Sequence, residues 1–279
     1  TVATLCNCTF CFNMATNSVA QFGNGVGLNV GTFKRVELEN CSFVGNGLAP
    51  WLKGGDTQRV LFGAALYSLA PVIASGCEFR VNHAPERNDK RGGAVCLAGG
   101  TGHVFSNCLF VANSGTFMQY DADTGGGVVR VAVTGSNSAT FERCTFAYNL
   151  TDSASCANVN VVSGRAFVRN CVFSDAFVSR RYTGGRYIHV YSGASCEVSD
   201  TLFPSGSEAD AIFAVRDTNI RIGKNVNYGD ACFVTPSDTV AQWAITEPNG
   251  TLYFDPTKTD ERESIDVHLR NGDGAYSAA

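Results

Sequence analysis

One short motif recurs along the chain and limits the possible folds more than any other feature. Asn-Cys-x-Phe-x-x-Asn, intact or altered, occurs six times, with its cysteine at positions 8, 41, 77, 108, 144 and 171. A seventh, weaker copy is Ser199-Asp200-Thr201-Leu202-Phe203. The steps between successive cysteines are 33, 36, 31, 36 and 27 residues. Repeats of this length, with a constant core and variable loops, are typical of solenoids, in which each repeat packs on its neighbours.

Two further short runs with β-strand character precede each core. One alternates apolar residues, as at Val36 and Leu38, and the other begins near glycine, as in 92–97 and 126–131. Each repeat therefore holds three short strands by periodicity and by its content of β-branched residues. Strands of successive coils would pair in parallel about 4.8 Å apart. The sequence predicts an all-β fold, a right-handed parallel β-helix (solenoid) of about seven coils. A propeller is the alternative, but its blades need about forty residues.

The motif also predicts which side chains fill the coil. Cysteine and phenylalanine stand two residues apart, so they point to the same face and form a cysteine ladder and a phenylalanine stack inside the tube. The closing asparagine is expected at a bend, in the left-handed conformation, with its side chain bonded to its copy in the next coil. The ladder cysteines are expected to be free thiols, because parallel Cβ vectors give a poor disulfide torsion.

These motifs resemble the repeats of the chlamydial polymorphic outer-membrane proteins. Gly-Gly-Ala-Val occurs at 92–95, and Phe-x-x-Asn occurs at Phe10, Phe43, Phe79, Phe110 and Phe146. The resemblance covers about residues 1–205. It implies a β-helical passenger region and, by analogy of fold alone, a role in adhesion.

The ends of the chain differ from the repeats. Thr1 already lies within a repeat, so we expect the chain to be a mature or trimmed piece. We also expect its N-terminal end to be covered by a neighbouring segment or a partner subunit. The repeat fades after about Asp230, and Pro236, Pro248 and Pro256 follow. The sequence therefore predicts a parallel β-helix over 1–233 and a C-terminal cap or extension over 234–279.

Charge and hydropathy exclude two classes of partner. The formal net charge is −4 and there is no basic block, whereas phosphate binding needs clustered Lys and Arg. We therefore expect no nucleic acid as the main partner. Residues 60–77 lack charge for about the length of a spanning helix. Pro71, Gly63 and Gly76 oppose that interpretation, so no membrane span is predicted.

The search for chemistry yields no catalytic, cofactor-binding or metal-binding set. Asp121 and Asp123 form the best acid pair, either a solvated turn or a catalytic or calcium pair. Arg180, Arg181 and Tyr182 form the densest basic and aromatic loop, either solvated or in contact with an anionic sugar or a protein carboxylate. The four histidines lack a Ser, Cys or acid partner at a diagnostic spacing, so we expect them on the surface or in strands.

The variable loops after each Phe-x-x-Asn are expected to stack on one side of the tube. Their aromatic residues fit a recognition surface, and equally a flap with the rings buried. The candidate recognition residues are Trp51, Tyr120, Asp121, Asp123, Arg180, Arg181 and Tyr182.

The sequence favours a non-enzymatic extracellular or cell-surface protein, used for adhesion or as a structural element of an assembly. Its expected partner is a protein or glycan along the stacked loops, and no cofactor is expected. One alternative is a polysaccharide lyase or glycoside hydrolase of the pectin-degrading β-helix type. A second is a viral or phage fibre module. Three or more acids converging in one groove would favour the enzyme.

Overall fold

The fold is seen in a computed structural model. It describes residues 1–15, 23–48, 61–84, 93–115, 127–151, 158–174, 176–178, 187–204, 208–214, 219–229, 231, 233, 240, 244–246, 252–254, 265 and 267. These residues form short strands and one turn of helix at Glu208–Ala211. Most of the strands belong to four long parallel sheets, numbered I to IV in the order in which a repeat visits them.

Sheets I and II carry the two strands that precede each motif core. Sheet I contains Leu28–Val30, Leu66–Ser68, Val95–Leu97, Val129–Ala132, Val159–Ser163, Ile188–Val190 and Ile212–Ala214. Sheet II contains Val2–Cys6, Arg35–Glu39, Val72–Ser75, His103–Ser106, Ser138–Glu142, Arg165–Arg169, Ser195–Ser199 and Asn219–Ile222.

Sheets III and IV carry the motif core and the residues that close it. Sheet III contains Thr9–Cys11, Ser42–Val44, Glu78–Arg80, Leu109–Val111, Thr145–Ala147, Val172–Phe173, Leu202–Phe203 and Asn227–Tyr228. Sheet IV contains Met14–Ala15, Gly47–Leu48, His83–Ala84, Ser114–Gly115, Leu150–Thr151 and Phe177–Val178. Two small pairs complete the described strands: Gly23–Asn24 with Leu61–Phe62, parallel, and Ala244–Thr246 with Leu252–Phe254, antiparallel.

Every strand in the four long sheets pairs with its counterpart in the next repeat. The all-β class and the parallel stacking are thus confirmed, and they are compatible with the predicted β-helix. The number of strands per repeat differs from the prediction, because sheet IV adds a fourth strand of two residues after each closing asparagine. Val2–Cys6 and Thr9–Cys11 pair on one side only within the described part of the chain. A neighbour at that edge stays a prediction.

The phenylalanine stack is present in the interior. Phe43, Phe79, Phe110 and Phe146 have no exposed surface. Their ring centroids lie 4.9, 4.8 and 4.6 Å apart in order along the stack, with interplanar angles of 4–5°. This spacing is that of paired strands, so the sheet register brings each ring over the next. Phe10 and Phe173 extend the column at the two ends, at 4.7 and 4.8 Å.

The cysteine ladder runs beside this stack. Cys41, Cys77, Cys108, Cys144 and Cys171 are buried free thiols, and Cys8 is half-buried. Each of the five buried sulfurs donates to the backbone oxygen two residues earlier, as Cys108 Sγ does to Ser106 O at 3.4 Å. Hydrogen bonding to the Cys108 thiol raises the pKa of Cys77, and burial raises that of Cys144. The predicted free thiols are therefore observed among the described cysteines.

Iodoacetamide should separate the two sets of cysteines in the native protein. We expect alkylation of the exposed Cys6 and Cys11, while the five buried ladder thiols react only after denaturation, because the thiolate is the reactive form and burial disfavours it. Tandem mass spectrometry, which locates the modified residue within a tryptic peptide, gives the extent at each cysteine. Native alkylation of Cys108 or Cys144 at the rate of Cys11 would contradict the ladder.

The closing asparagines form a second ladder, as predicted. In Asn46, Asn82 and Asn113 the backbone N–H and Nδ2 both donate to Oδ1 of the next asparagine, at 2.9–3.2 Å. Nδ2 of each also donates to the phenylalanine carbonyl of the preceding repeat. Ala176 occupies the equivalent position one repeat after Asn149, and there Asn158 accepts the bond instead, at 2.8 Å. The ladder thus satisfies a buried row of amides from repeat to repeat.

The prediction that the closing asparagine adopts the left-handed conformation is wrong. The residue before it does, as at Phe12, Val81 and Tyr148, where φ is 52°, 55° and 57°. A second left-handed corner lies just before each cysteine, at Asn40 and Asn107 among others, where φ is 49° and 51°. Asparagine is favoured at that second corner for its tolerance of positive φ. At the corner that ends the motif, the left-handed residue is the one before the closing asparagine, and the asparagine side chain forms the hydrogen bonds of the ladder.

Residues beyond Asp230 pack against the outer face of sheet III. Phe233, Val240 and Ile265 join a buried cluster with Val111 and Tyr148. The Phe233 and Tyr148 rings meet edge to face at 6.0 Å, and Arg80 donates to Ile265 O at 3.2 Å. The described part of this segment covers one side of the stack. The division at residue 233 stays a prediction.

Candidate functional site

One row of side chains on the outer face of sheet I differs from the rest of the surface. Strand alternation points Val95, Val129 and Val159 into the core and places the next residue of each strand on the outer face. In-register pairing aligns these outward residues in successive repeats. We call them the sheet I row, and it consists of Tyr67, Cys96, Arg130, Asn160 and His189.

Four of the five members of the sheet I row are buried although they face away from the core, and Tyr67 is half-buried. Cys96 and Asn160 have no exposed surface, and His189 and Arg130 are 6% and 8% exposed. Outward residues at the corresponding place on sheet II, such as Ile73 and Phe167, are half-buried. Phe62, Tyr67 and Ala98 pack against Cys96 at one end of the row. A buried polar row on an outer face needs specific partners, since polar groups removed from water cost free energy unless they are paired.

Arg130 is the one cation of this row. Its Nε is buried and has no hydrogen-bond partner in the described structure. Ion pairs between described residues join Arg35 to Glu37, Arg80 to Glu78, Arg143 to Glu142 and Arg169 to Glu197, all away from the sheet I row. A guanidinium is planar and presents a fork of donors that suits a carboxylate.

A β-bulge lies beside Arg130. Val131 pairs with Val161, but Ala132 pairs with Ser163, so Val162 is an extra residue. Bulges bend a strand, re-aim nearby side chains and are frequent next to binding and active sites. The bulge follows the Val131–Val161 pair, one pair beyond Arg130–Asn160, and it makes this part of sheet I irregular.

His189 ends the row as a buried neutral ring. Burial lowers its pKa from 6.5 to about 4, and its ring stacks on Tyr191 with the centroids 4.2 Å apart. The imidazole therefore carries no charge near pH 7.

Acid should destabilise the protein through His189. Its folded pKa lies below its unfolded value, so the unfolded state gains a proton first as the pH falls. Between pH 8 and pH 5 we expect this residue to cost about 2 kcal/mol of stability, from 1.36 kcal/mol per pKa unit. Urea denaturation at both pH values measures the loss, and His189→Asn should reduce it. Equal losses in the parent and the variant would contradict the assignment.

The other described histidines, His83 and His103, are also buried, and both lie in strands, one of the two places expected for them. Nδ1 of His83 lies in hydrogen-bond contact with Oγ of Ser114 in the next repeat. His103 accepts from Val72 N–H at 3.2 Å through Nδ1, and its Nε2 donates to Gly99 O at 2.7 Å. Burial lowers the pKa of His103. Both histidines join neighbouring segments, and Ser114 and Val72 each lie 31 residues away from their histidine, too far for spacing to indicate the contact.

The candidate recognition residues Trp51, Tyr120, Asp121, Asp123, Arg180, Arg181 and Tyr182 all lie outside the described residues. In the chain, 116–126 precedes the strand that carries Arg130, and 179–186 precedes the strand that carries His189. The sheet I row was not singled out from the sequence. A signal existed: aligning the glycine-led runs puts Cys96, Arg130 and His189 at one position.

Two searches for specialised features found none within the described ranges. No group of three or more His, Cys, Asp or Glu side chains there could hold a metal ion. No helix there has the length and apolar character needed to cross a membrane. Comparisons with protein-family models, curated proteins and solved structures found no match.

Proposed function

We propose that this chain is a right-handed parallel β-helix of about seven coils that acts as a non-enzymatic surface or extracellular protein. Its role is adhesion or support of a larger assembly, with a protein or glycan as partner. Parallel strands joined by crossover connections are right-handed in about 98% of cases, which supports the handedness. The coil count follows from the seven copies of the motif.

The observation that carries the function is the sheet I row. Four of its five outward-facing side chains are buried, and they include a cation without a hydrogen-bond partner at Nε. The segments with the candidate recognition residues Asp121, Asp123, Arg180 and Tyr182 precede strands of this same sheet in the chain. A rigid stack that aligns polar groups on one face, joined to variable segments, suits recognition of a ligand.

Rigidity supports the structural part of the role. The phenylalanine, cysteine and asparagine columns each link one repeat to the next, so the repeats form a continuous stack. In such arrays each unit is stabilised by its neighbours. A continuous rod of this kind can present a binding face at a fixed distance from its attachment.

A glycan array read together with a degradation assay tests the proposal. The 1–279 chain should bind a subset of glycans, and incubation with the same glycans should release no shortened or unsaturated products. Product formation that depends on the protein would favour the lyase or hydrolase. Absence of both binding and products, with no capture of a protein partner on the same surface, would contradict adhesion through this face.

A further inference from the structure

We infer that the corner between sheets II and III carries an N-linked glycan in the first two repeats, with Asn7 and Asn40 as its acceptors. The inference goes beyond the proposed function and rests only on its extracellular part, because this modification is made on the way to the cell surface. It concerns a different face of the stack from the sheet I row.

The first step is the sequence around the acceptors. N-linked glycans are attached at Asn-x-Ser/Thr, where x is not proline. Asn7-Cys8-Thr9 and Asn40-Cys41-Ser42 fit this motif, and Asn149-Leu150-Thr151 is a third copy. A fourth copy begins at Asn249, outside the described residues. The motif is short and arises by chance, so a candidate also has to lie where the finished fold leaves a glycan in solvent.

The second step is the exposure of the two acceptors. Asn7 and Asn40 are both exposed, and both adopt the left-handed conformation, with φ of 53° and 49°. Their backbone N–H groups donate to Glu39 O and Ser75 O, which fixes the corner. Within the described part of the chain, neither side-chain amide has a hydrogen-bond partner. The amide nitrogen that would carry the sugar is therefore not needed to hold the fold.

The third step is the space beside Asn40. Gly76 stands at the same corner in the next repeat, where a Cβ would lie 2.4 Å from Asn40 Oδ1. Atoms do not approach so closely, so the glycine keeps that side of the Asn40 amide free of a neighbouring side chain. Asn7 lies on the other side, about one strand spacing of 4.8 Å away. A glycan on one acceptor therefore hinders transfer to the other, and either one can carry it.

The buried copy of the motif shows what the fold excludes. Asn149 has no exposed surface, and its Nδ2 donates to Phe110 O and Asn158 Oδ1 at 2.9 and 2.8 Å. A sugar on that nitrogen would have to displace the asparagine ladder. We therefore expect Asn149 to be unmodified in the folded protein, although it fits the same motif as Asn7 and Asn40.

The modification is a group transfer from a lipid-linked oligosaccharide diphosphate. Nδ2 of the acceptor asparagine attacks the anomeric carbon of the first sugar, and the new C–N bond replaces the sugar–phosphate bond. The lipid diphosphate leaves, and the nitrogen gives up one proton to a base of the transferase. The asparagine keeps its carbonyl and one N–H. The hydroxyl of Thr9 or Ser42 completes the motif that the transferase requires.

Site mapping of the secreted chain tests the inference. Residues 1–279 are expressed behind a cleavable signal peptide in a eukaryotic host, and the folded protein is treated with peptide N-glycosidase in heavy-oxygen water. This treatment converts each glycosylated asparagine into labelled aspartate. Trypsin separates the three motifs into peptides 1–34, 36–53 and 144–165. We expect most molecules to carry the label at Asn7 or Asn40, and none to carry it at Asn149.

A double variant and a matched control separate the motif from other effects of substitution. Thr9→Ala/Ser42→Ala keeps both asparagines and should abolish the label, while the deglycosylated variant should melt at the Tm of the deglycosylated parent. Thr145→Ala is the control, because Thr145 shares the outward position of Ser42 in sheet III but follows Arg143, which is no acceptor. This control should keep the parent's label.

The outcomes distinguish this inference from the proposed function. A folded parent without label at both Asn7 and Asn40 would overturn the inference. Label at Asn149 as high as at Asn40, or label retained in the double variant, would overturn it as well. Glycan-array binding by an unlabelled parent would leave the proposed function standing and overturn the inference alone. A labelled parent that, after deglycosylation, binds neither a glycan nor a protein partner would overturn the proposed function alone.

Discussion

Phe110→Ala is expected to lower the free energy of unfolding by about 3–5 kcal/mol, the usual cost of deleting a buried aromatic ring. Phe110 has no exposed surface and stands in the middle of the column, 4.8 Å from Phe79 and 4.6 Å from Phe146. It also meets Phe105 and Phe141 at 6.0 and 6.5 Å. The cavity would be lined by rings on several sides. Rings tied to paired strands have little freedom to move into it.

Urea denaturation of the parent and two variants measures the effect. Phe33→Ala is the matched control, because Phe33 is 44% exposed and its loss should cost less than about 1 kcal/mol. If the two substitutions cost the same, the phenylalanine column is not the core.

Asn113→Ala is expected to cost about 3–5 kcal/mol, although it removes no apolar surface. Asn113 Oδ1 accepts from the backbone N–H and Nδ2 of Asn82, both at 3.0 Å, and its Nδ2 donates to Phe79 O at 2.8 Å. Truncation leaves these buried partners unsatisfied, and each such group costs about 1–3 kcal/mol. The effect should therefore match that of a core phenylalanine.

Asn29→Ala supplies the control for this substitution. Asn29 is exposed in a strand of sheet I, so its replacement should change stability by about 0.5 kcal/mol or less. Denaturation of both variants at one pH gives the comparison. A cost at Asn113 no larger than that at Asn29 would show that the asparagine ladder contributes nothing.

The sequence predicted the columns because the motif repeats them. Cys108 and Phe110 recur with fixed spacing, and a two-residue alternation places both inside. The fourth strand of each repeat escaped prediction because strands such as His83–Ala84 have two residues, too few to show a period. We predicted the left-handed residue one position too late, at the closing asparagine. Asparagine suits that conformation, but here its side chain forms the ladder and the residue before it makes the bend.

The candidate site was harder to predict for a different reason. Arg130 lies in a valine-rich run that reads as an ordinary buried strand, and its outward direction depends on the register of sheet I. The predicted residues in the variable segments, such as Asp121 and Tyr182, stay predictions. A repeated motif identifies the residues that recur from repeat to repeat. The other members of the sheet I row are not arginines, so the repeat could not point to Arg130.

The in-register parallel stack is the central claim, because the positions of the core columns and of Arg130 all depend on it. A crystal structure of the 1–279 chain tests it most directly. We predict a right-handed coil in which Phe43, Phe79, Phe110 and Phe146 stack about 4.6–4.9 Å apart, with Arg130 between Cys96 and Asn160 on the outer face. Antiparallel pairing of the motif strands, those four rings in solvent, or Arg130 turned into the core would contradict it.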